Sequence, residues 1–539
     1  MTRLLRQHWP LLLALFALGL TLLALWILSI RRTQGHFIYA LDDPYIHMAM
    51  AKNFVGSGVW GVTRYEFSSS SSSVLWTLLL SLAYLISGVH EKTPLTLNIF
   101  FSMLSAGAAY LFLKTHSITQ TRRFLLLLAF IFLAPLPSLV FSGMEHTAQI
   151  LLDLAFVFLS ARVLSNESFS FRSGDSLMLL ALATFVPFIR YEGLFLVSVV
   201  GLLFILRRRT LYALALGIAA TIPVGIYGLV SVRHGSFWLP NSVLLKGTLP
   251  VQSPASILAR AATRVLEAHH LSWLLMLALC LFFFRRGRTV AKWERGQLLL
   301  IIFTASSILH LLFAAVGWFY RYEAYLVAIG ILACGSLLCE TLPGWSTLKN
   351  RSRLTVSVGS ITLALLFLVT TYSLVKRGVG ALRDTPQGSE DIFRQQYQMS
   401  IFLRDYYQGA AVAANDIGAI NYYADIRCLD LWGLGSAEVT GAKLAQQFDT
   451  RKIEELTGKH GVKIAVVYAG WFGGNGSLPA RWRKVGQWRT PGCIVCGNDT
   501  VSFYSVDPSE IETLINDLRD FYPRLPPNVK QNGRYVPAR

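Results

Sequence analysis

The sequence predicts a polytopic α-helical membrane protein with a water-soluble α/β domain at its C-terminal end. Of its 539 residues 53% are apolar and 15% charged, and the mean hydropathy is +0.48. That is more apolar surface than a water-facing shape can hide. Apolar runs of about twenty residues recur, each long enough to cross roughly 30 Å of hydrocarbon. From about Lys376 onward the pattern turns water-soluble, with strand-like alternation and turn residues.

The net charge of +19 does not point to nucleic acid. The basic residues sit at the ends of apolar runs and in the tail, where they set topology and attract anionic lipid head groups. The first run, Trp9 to Ile30, follows Arg3 and Arg6 and precedes Arg31-Arg32. It is about twice the length of a signal-peptide core and has no small-residue cleavage site, so it reads as a retained span with its N-terminus inside.

The first outer loop, 31–93, carries Asp42-Asp43, an amphipathic run from Pro44 to Phe54, six serines at 68–73 and an apolar run from Val74 to Ser87. At fourteen residues the last run is short for a span. If it stays on one face, ten more spans follow: 94–113, 124–142, 147–163, 176–190, 193–206, 211–232, 271–284, 297–316, 322–340 and 354–375. Lys114, Arg122 and Arg123, then Arg162 and Arg172, Arg207 to Arg209, Arg285 to Arg295, and Lys349 to Arg353 then all fall inside. If it crossed, all of these would lie outside. We therefore expect about eleven spans in residues 1–375, a juxtamembrane helix at 74–87 and a flexible serine loop at its entrance.

This parity places short polar turns on the outer face: Ser142 to His146, Arg190 to Gly193, and Tyr320 to Glu323. A long outer loop from Arg233 to His270 carries Leu239-Pro240-Asn241-Ser242, Lys246 and an amphipathic segment from Ser253-Pro254 to Glu267, either a lid or an idle surface helix. Residues 376–539 form the outer α/β domain, with strands at Ala410–Ala414 and Val462–Val467, a helix at Asp449–His460, and turns at Gly473–Gly476 and Gly497–Asp499. Cys493 and Cys496 have the spacing to pair in an oxidising compartment; zinc would need two further ligands.

Attack by a hydroxyl on an activated anomeric carbon needs a base, and a cation or metal to steady the leaving phosphate. Asp42 and Asp43 are the candidate bases; the competing reading makes Asp43 a helix cap before Pro44. Glu145, at the end of an apolar run with no cation near it in sequence, is expected to face a polar cavity. Lys246, Arg190 and Arg321 are candidate phosphate partners, although Arg190 and Glu192 have the alternative of pairing with each other. His47 reads as a surface-helix residue. Asp42, Asp43 and His47 make a weak divalent-cation pattern, for magnesium or manganese, and no cofactor is firmly implied.

At these residues the chain resembles the GT-C superfamily of polyprenyl-phosphate-sugar-dependent glycosyltransferases, most closely the terminal cell-wall arabinofuranosyltransferases. The matching pieces are Asp42 to Ile46, Ala51 to Phe54, Gly56 to Gly58, Ser73 to Trp76, Ser142 to Glu145, Arg190 to Gly193, Leu239 to Ser242 with Lys246, Arg321-Tyr322, Asn415 to Ile420 and Leu429 to Leu434. The resemblance implies a bacterial inner-membrane enzyme with its site and C-terminal domain on the periplasmic side. It implies a polyprenyl-phosphate sugar donor entering from the bilayer, a glycan, lipid or protein acceptor, and inversion at the anomeric carbon. By that likeness Asp43 or Asp42 is the base, and Glu145, Arg190, Glu192, Asn241, Lys246 and Arg321 bind substrate. Two departures detach the arabinose specificity: the acid after Arg190 is displaced to Glu192, and serines replace a Gly-Tyr-Thr-type sequence before Trp76. The rival reading is a transporter or flippase of lipid-linked sugar, which predicts ionisable residues near mid-membrane and repeated halves. Charged residues are expected at the outer rim instead, and no repeat is visible.

Overall fold

The computed structural model describes residues 2–246, 254–286, 294–341, 358–473 and 477–536. The expected spans are helical over most of their described residues, yet their lengths differ and one is broken. Seven helical segments among the described residues are long and apolar enough to cross a bilayer, beginning with Arg6–Arg32. An eighth crossing requires His269–Phe284, which meets the amphipathic helix Pro254–Glu267 at a 93° bend. The remaining expected spans are the shorter apolar helices Gly174–Ile189, Gly193–Leu206 and Ala324–Thr341. At 1.5 Å per residue, fourteen to sixteen residues reach only about 21–24 Å, short of a 30 Å core. The polar turn joining the first two is correspondingly drawn into the protein, with Arg190 only 7% exposed. The expected span at 124–142 is broken at Ala134-Pro135 into Gln120–Leu133 and Leu136–Ser142, as a proline removes a helical donor.

Within the segment 31–93, helices Asp43–Ser57 and Val74–Ser87 pack on each other. Val74–Ser87 buries Trp76, Thr77, Leu80 and Tyr84 while Leu82, Leu85 and Ile86 remain outward. The serine run between them is not a flexible loop. Ser68, Ser69, Ser70, Ser71 and Ser73 are buried, and their hydroxyls are used. Ser68 accepts from the Val62 amide, Ser69 meets the Tyr227 hydroxyl at 2.9 Å, Ser71 bridges His47 and Thr77, and Ser73 caps Trp76. Five of the six small hydroxyl side chains make a strap that can be buried because each of the five finds a partner, Ser70 by donating to Ser68.

Helix Val358–Ile392 runs on through a π-turn at Phe393–Tyr397 into Gln398–Tyr406 and delivers the chain to a six-stranded sheet. Its strands are β1 (Ala411–Ala414), β2 (Arg427–Asp430), β3 (Ile464–Val467), β4 (Arg483–Arg489), β5 (Thr500–Ser505) and β6 (Lys530–Gly533), in the order β2-β1-β3-β5-β4-β6. The β2-β1-β3 side is parallel, the rest antiparallel. The expected helix near Asp449–His460 is Thr450–Lys459, capped by Asp449. Cys493 and Cys496 form a disulfide. Of the turn expected at Gly473–Gly476, residues 474–476 lie outside the described residues.

The segment 31–93 joins bundle and sheet. Ile46, Met50 and Val62 belong to the sheet domain's core with Ile417, Val466 and Phe503, whereas Tyr39, Tyr45, Met48 and Trp76 pack with Phe393, Ala419 and Tyr422. Buried apolar surface on two faces of one short helix thus fixes where that helix can sit.

Candidate active site

A cavity of about 350 Å³ lies where the segment 31–93, the bundle and the segment 239–244 meet. Its polar end is lined by Asp43, His47, Ser70, Ser72, Arg190, Glu192, Arg321 and Tyr322. Its other wall is apolar, with Leu194, Phe195, Val224, Leu239, Val243 and Phe313. Val224 lies roughly 13 Å along its helix from Arg233, so the apolar wall descends into the bundle.

The two neighbouring aspartates part company. Asp43, a quarter exposed, lines the cavity and pairs with Arg321. Asp42 turns the other way, its two carboxylate oxygens accepting from the Gly418 and Ala419 amides at 2.7 and 2.8 Å. The capping expectation for Asp43 fails, since it is already the first residue of its helix and the preceding Asp42 makes no side-chain bond to that helix. One carboxylate is left for the cavity and the other for the C-terminal domain.

Arg321 is 1% exposed. Its Nη2 donates to Asp43, while Nε and Nη1 find no hydrogen-bond partner among the described residues. Buried guanidinium N–H groups left open at a cavity wall suit an anion. The turn before it is held hard: Phe319 and Tyr320 have φ of +54° and +62°, a region non-glycine residues rarely adopt. Tyr320 donates to Asp384 at 2.6 Å, Arg377 donates to the Tyr320 carbonyl at 2.6 Å, and buried Glu323 accepts from Gly317 N and lies 3.0 Å from His270 Nε2.

Arg190 and Glu192 do pair, and Glu145 joins them. Arg190 Nη1 reaches Glu145 at 2.7 Å while Nε and Nη2 fork onto Glu192 at 3.1 and 2.5 Å. Burial alone pushes the Glu145 carboxyl up, but His146, Arg190 and His47 outweigh it and hold it at about 2. Two expectations change here. Glu145, 0% exposed, lies behind Arg190 and outside the cavity lining, so it braces the wall instead of facing substrate. Arg190 lines the cavity with its charge already met by two carboxylates, which leaves Arg321 the more open cation.

Other expected residues fall as follows. Asn241, fully buried and outside the lining, receives its role from the fold: its amide donates to Ser69 O at 2.8 Å and its Nδ2 to Leu434 O at 3.2 Å. It ties the 239–244 segment to both the serine strap and the sheet domain. Lys246 ends the short helix Asn241–Lys246, and its side chain lies outside what is described. His47 is no surface residue; it is 2% exposed, lines the cavity and has Nδ1 within 3.0 and 3.1 Å of Thr77 and Ser71 hydroxyls. Burial lowers its pKa from the ordinary 6.5. Asp42, Asp43 and His47 do not converge, and among the described residues no group of three or more His, Cys, Asp or Glu is placed to hold a metal ion. Ionisable residues are not confined to the rim either, because Asp153 sits fully buried within helix His146–Ser165.

Sequence reasoning passed over Tyr322, whose ring carries the Arg190 and Arg321 guanidinium groups at 5.6 and 5.0 Å, and Gly418, which approaches Asp42. No local sequence pattern marks a ring shared by two arginines.

Residues 390–504 match a family described as a domain of unknown function, DUF8728. No curated protein matches the chain by sequence. In three dimensions it is similar to ArnT from Cupriavidus metallidurans, in the apo state (TM-score 0.50) and bound to undecaprenyl phosphate (0.51); each is 12% identical and covers 91% of this chain and 98% of that one. It is also similar to the apo oligosaccharyltransferase of Archaeoglobus fulgidus, with TM-score 0.51 and 13% identity over 94% of this chain and 75% of that one. The likeness runs through bundle and sheet domain together, and the chain shares the fold of these proteins: a polytopic helical membrane protein with a C-terminal sheet domain.

Proposed function

We propose that the protein is an inverting glycosyltransferase that moves one sugar from a polyprenyl-phosphate donor to a hydroxyl of an extracytoplasmic glycan, lipid or protein. The observation that carries this reading is the Asp43–Arg321 pair at the polar end of a cavity whose other wall is apolar. A carboxylate and an incompletely bonded guanidinium at one point, with an apolar trough beside them, suit a base, a lipid phosphate and its isoprenoid chain. The GT-C fold supports it, as does the undecaprenyl phosphate held by the structural neighbour ArnT.

In this mechanism Arg321 transfers its hydrogen bonds from Asp43 to the donor phosphate, which uncovers the carboxylate. Asp43 takes the acceptor hydroxyl proton, the acceptor oxygen bonds to the anomeric carbon from the opposite face, and the carbon–phosphate oxygen bond breaks. Its electron pair stays on the departing polyprenyl phosphate, steadied by Arg321. Glu192 and Tyr322 border the space for the sugar, and Arg190 is kept in place by Glu145. The cell-wall likeness makes pentofuranosyl donors the first to try, followed by hexosyl ones. The outer-face position of the site and of residues 376–539 belongs to the same proposal, on the positive-inside pattern.

Sugar transfer from synthetic polyprenyl-phosphate donors in nanodiscs tests it: Asp43→Asn is expected to lose about 100- to 10,000-fold, the usual share of a general base. Undiminished transfer would remove Asp43 from the role. Buried Asp153 is the one observation favouring a flippase. Lipid-linked sugar scrambled across proteoliposomes without transfer would decide for that reading.

A further inference from the structure

Asp42 is the half of the aspartate pair that the cavity does not use. Both its oxygens are committed to backbone amides of the sheet domain, Gly418 and Ala419, at 2.7 and 2.8 Å. The approach is so close that a Cβ on Gly418 would overlap the Asp42 carbonyl and carboxylate. Gly418 has a negative φ of −75°, so the glycine is demanded by proximity and not by its backbone conformation. Asp416, two residues upstream, is itself fixed by Tyr468 Oη at 2.8 Å and Gln396 Nε2 at 2.9 Å. Burial first, and then the Asp416 carboxylate, push the Asp42 carboxyl well above its ordinary range.

Asp42 also starts the acid helix: its carbonyl accepts from the Tyr45 amide at 3.0 Å, and Asp43 is the next residue. The peptide joining the two aspartates is thus gripped on one side by the sheet domain and on the other by helix Asp43–Ser57. Rotation about Asp42 would swing the Asp43 carboxylate out of the cavity.

We infer that Asp42 is a positioning residue, a clamp onto the Gly418–Ala419 amides that sets the Asp43 carboxylate in the cavity and makes the sheet domain part of the catalytic assembly. The inference rests on the glycosyltransferase reading for its consequence, but its geometry can be measured without turnover.

Asp42→Asn exchanges one acceptor oxygen for a donor NH₂ facing an amide N–H, and Gly418→Ala pushes from the other side. In the full-length protein, each is expected to raise hydrogen exchange in peptides spanning 417–423 and 43–54 together, with the bundle unchanged. In transfer assays each should lower kcat about 100-fold, the scale of a displacement of roughly 1 Å at a reacting group, with donor KM unaltered and the double variant no worse than either single one. Faster exchange in 417–423 alone, or wild-type kcat in Asp42→Asn, would overturn the clamp. A wild-type protein that transfers no sugar, with the two peptides still loosening together, would retain the clamp and overturn the glycosyltransferase reading instead.

Discussion

Asp43 and Arg321 lie 278 positions apart in the chain and pair across the polar end of the cavity. In this state the cation that suits a phosphate covers the carboxylate that suits a base. Donor phosphate is therefore expected to bind first, releasing Asp43 for the acceptor. Initial-rate kinetics should show an ordered mechanism with donor leading.

Replacing Arg321 separates charge from geometry. Arg321→Lys keeps the charge and loses the fork, and Arg321→Ala loses both. A charged hydrogen bond is worth about 1.5–3 kcal/mol, so donor KM should rise by about 10- to 100-fold in the alanine variant and less in the lysine one. Equilibrium binding of polyprenyl phosphate alone reports the same order.

Glu145 tests the brace behind the wall. Glu145→Gln leaves Arg190 with a single carboxylate, Glu192, and is expected to destabilise the protein by about 1.5–3 kcal/mol, the worth of one hydrogen bond between charged groups. The folded carboxyl is held at about 2 against an ordinary 4.5. Its contribution is complete above about pH 4.5 and drains away as pH falls toward 2. Thermal melting between pH 3 and 7 should show that loss in the wild type and a shallower slope in the variant.

His47 predicts a second acid-side effect. Its folded pKa lies below the ordinary 6.5, so the unfolded chain binds the extra proton and stability falls as pH drops below about 6.5. Removing that group as His47→Gln should flatten the decline in melting temperature between pH 6.5 and 5. The Ser71→Ala variant, which removes one hydroxyl partner of the same ring, should cost about 1 kcal/mol.

The tail disulfide checks orientation. With residues 376–539 on the outer side, Cys493 and Cys496 are expected to resist alkylation in intact cells until a reductant is added. Free Cys428, buried in the sheet domain, should react only on unfolding.

Hydropathy made the membrane class legible, because a bilayer imposes length rules that a linear pattern can satisfy or break. The sheet domain was legible as well, from period-two runs that became β1 and β3. What sequence misjudged was burial. The serine run looked flexible because serines are polar, and it became a buried strap because five of its six hydroxyls found a partner. Glu145 looked cation-free because Arg190 is 45 positions away. By itself, then, the sequence determined a polytopic membrane protein with an acidic pair after its first apolar helix and an α/β tail. Only the tertiary structure decided which aspartate meets the cavity. Adjacent side chains at a helix start point in different directions, and the Gly418 and Ala419 amides that claim Asp42 belong to a domain that reaches it only when the chain is folded.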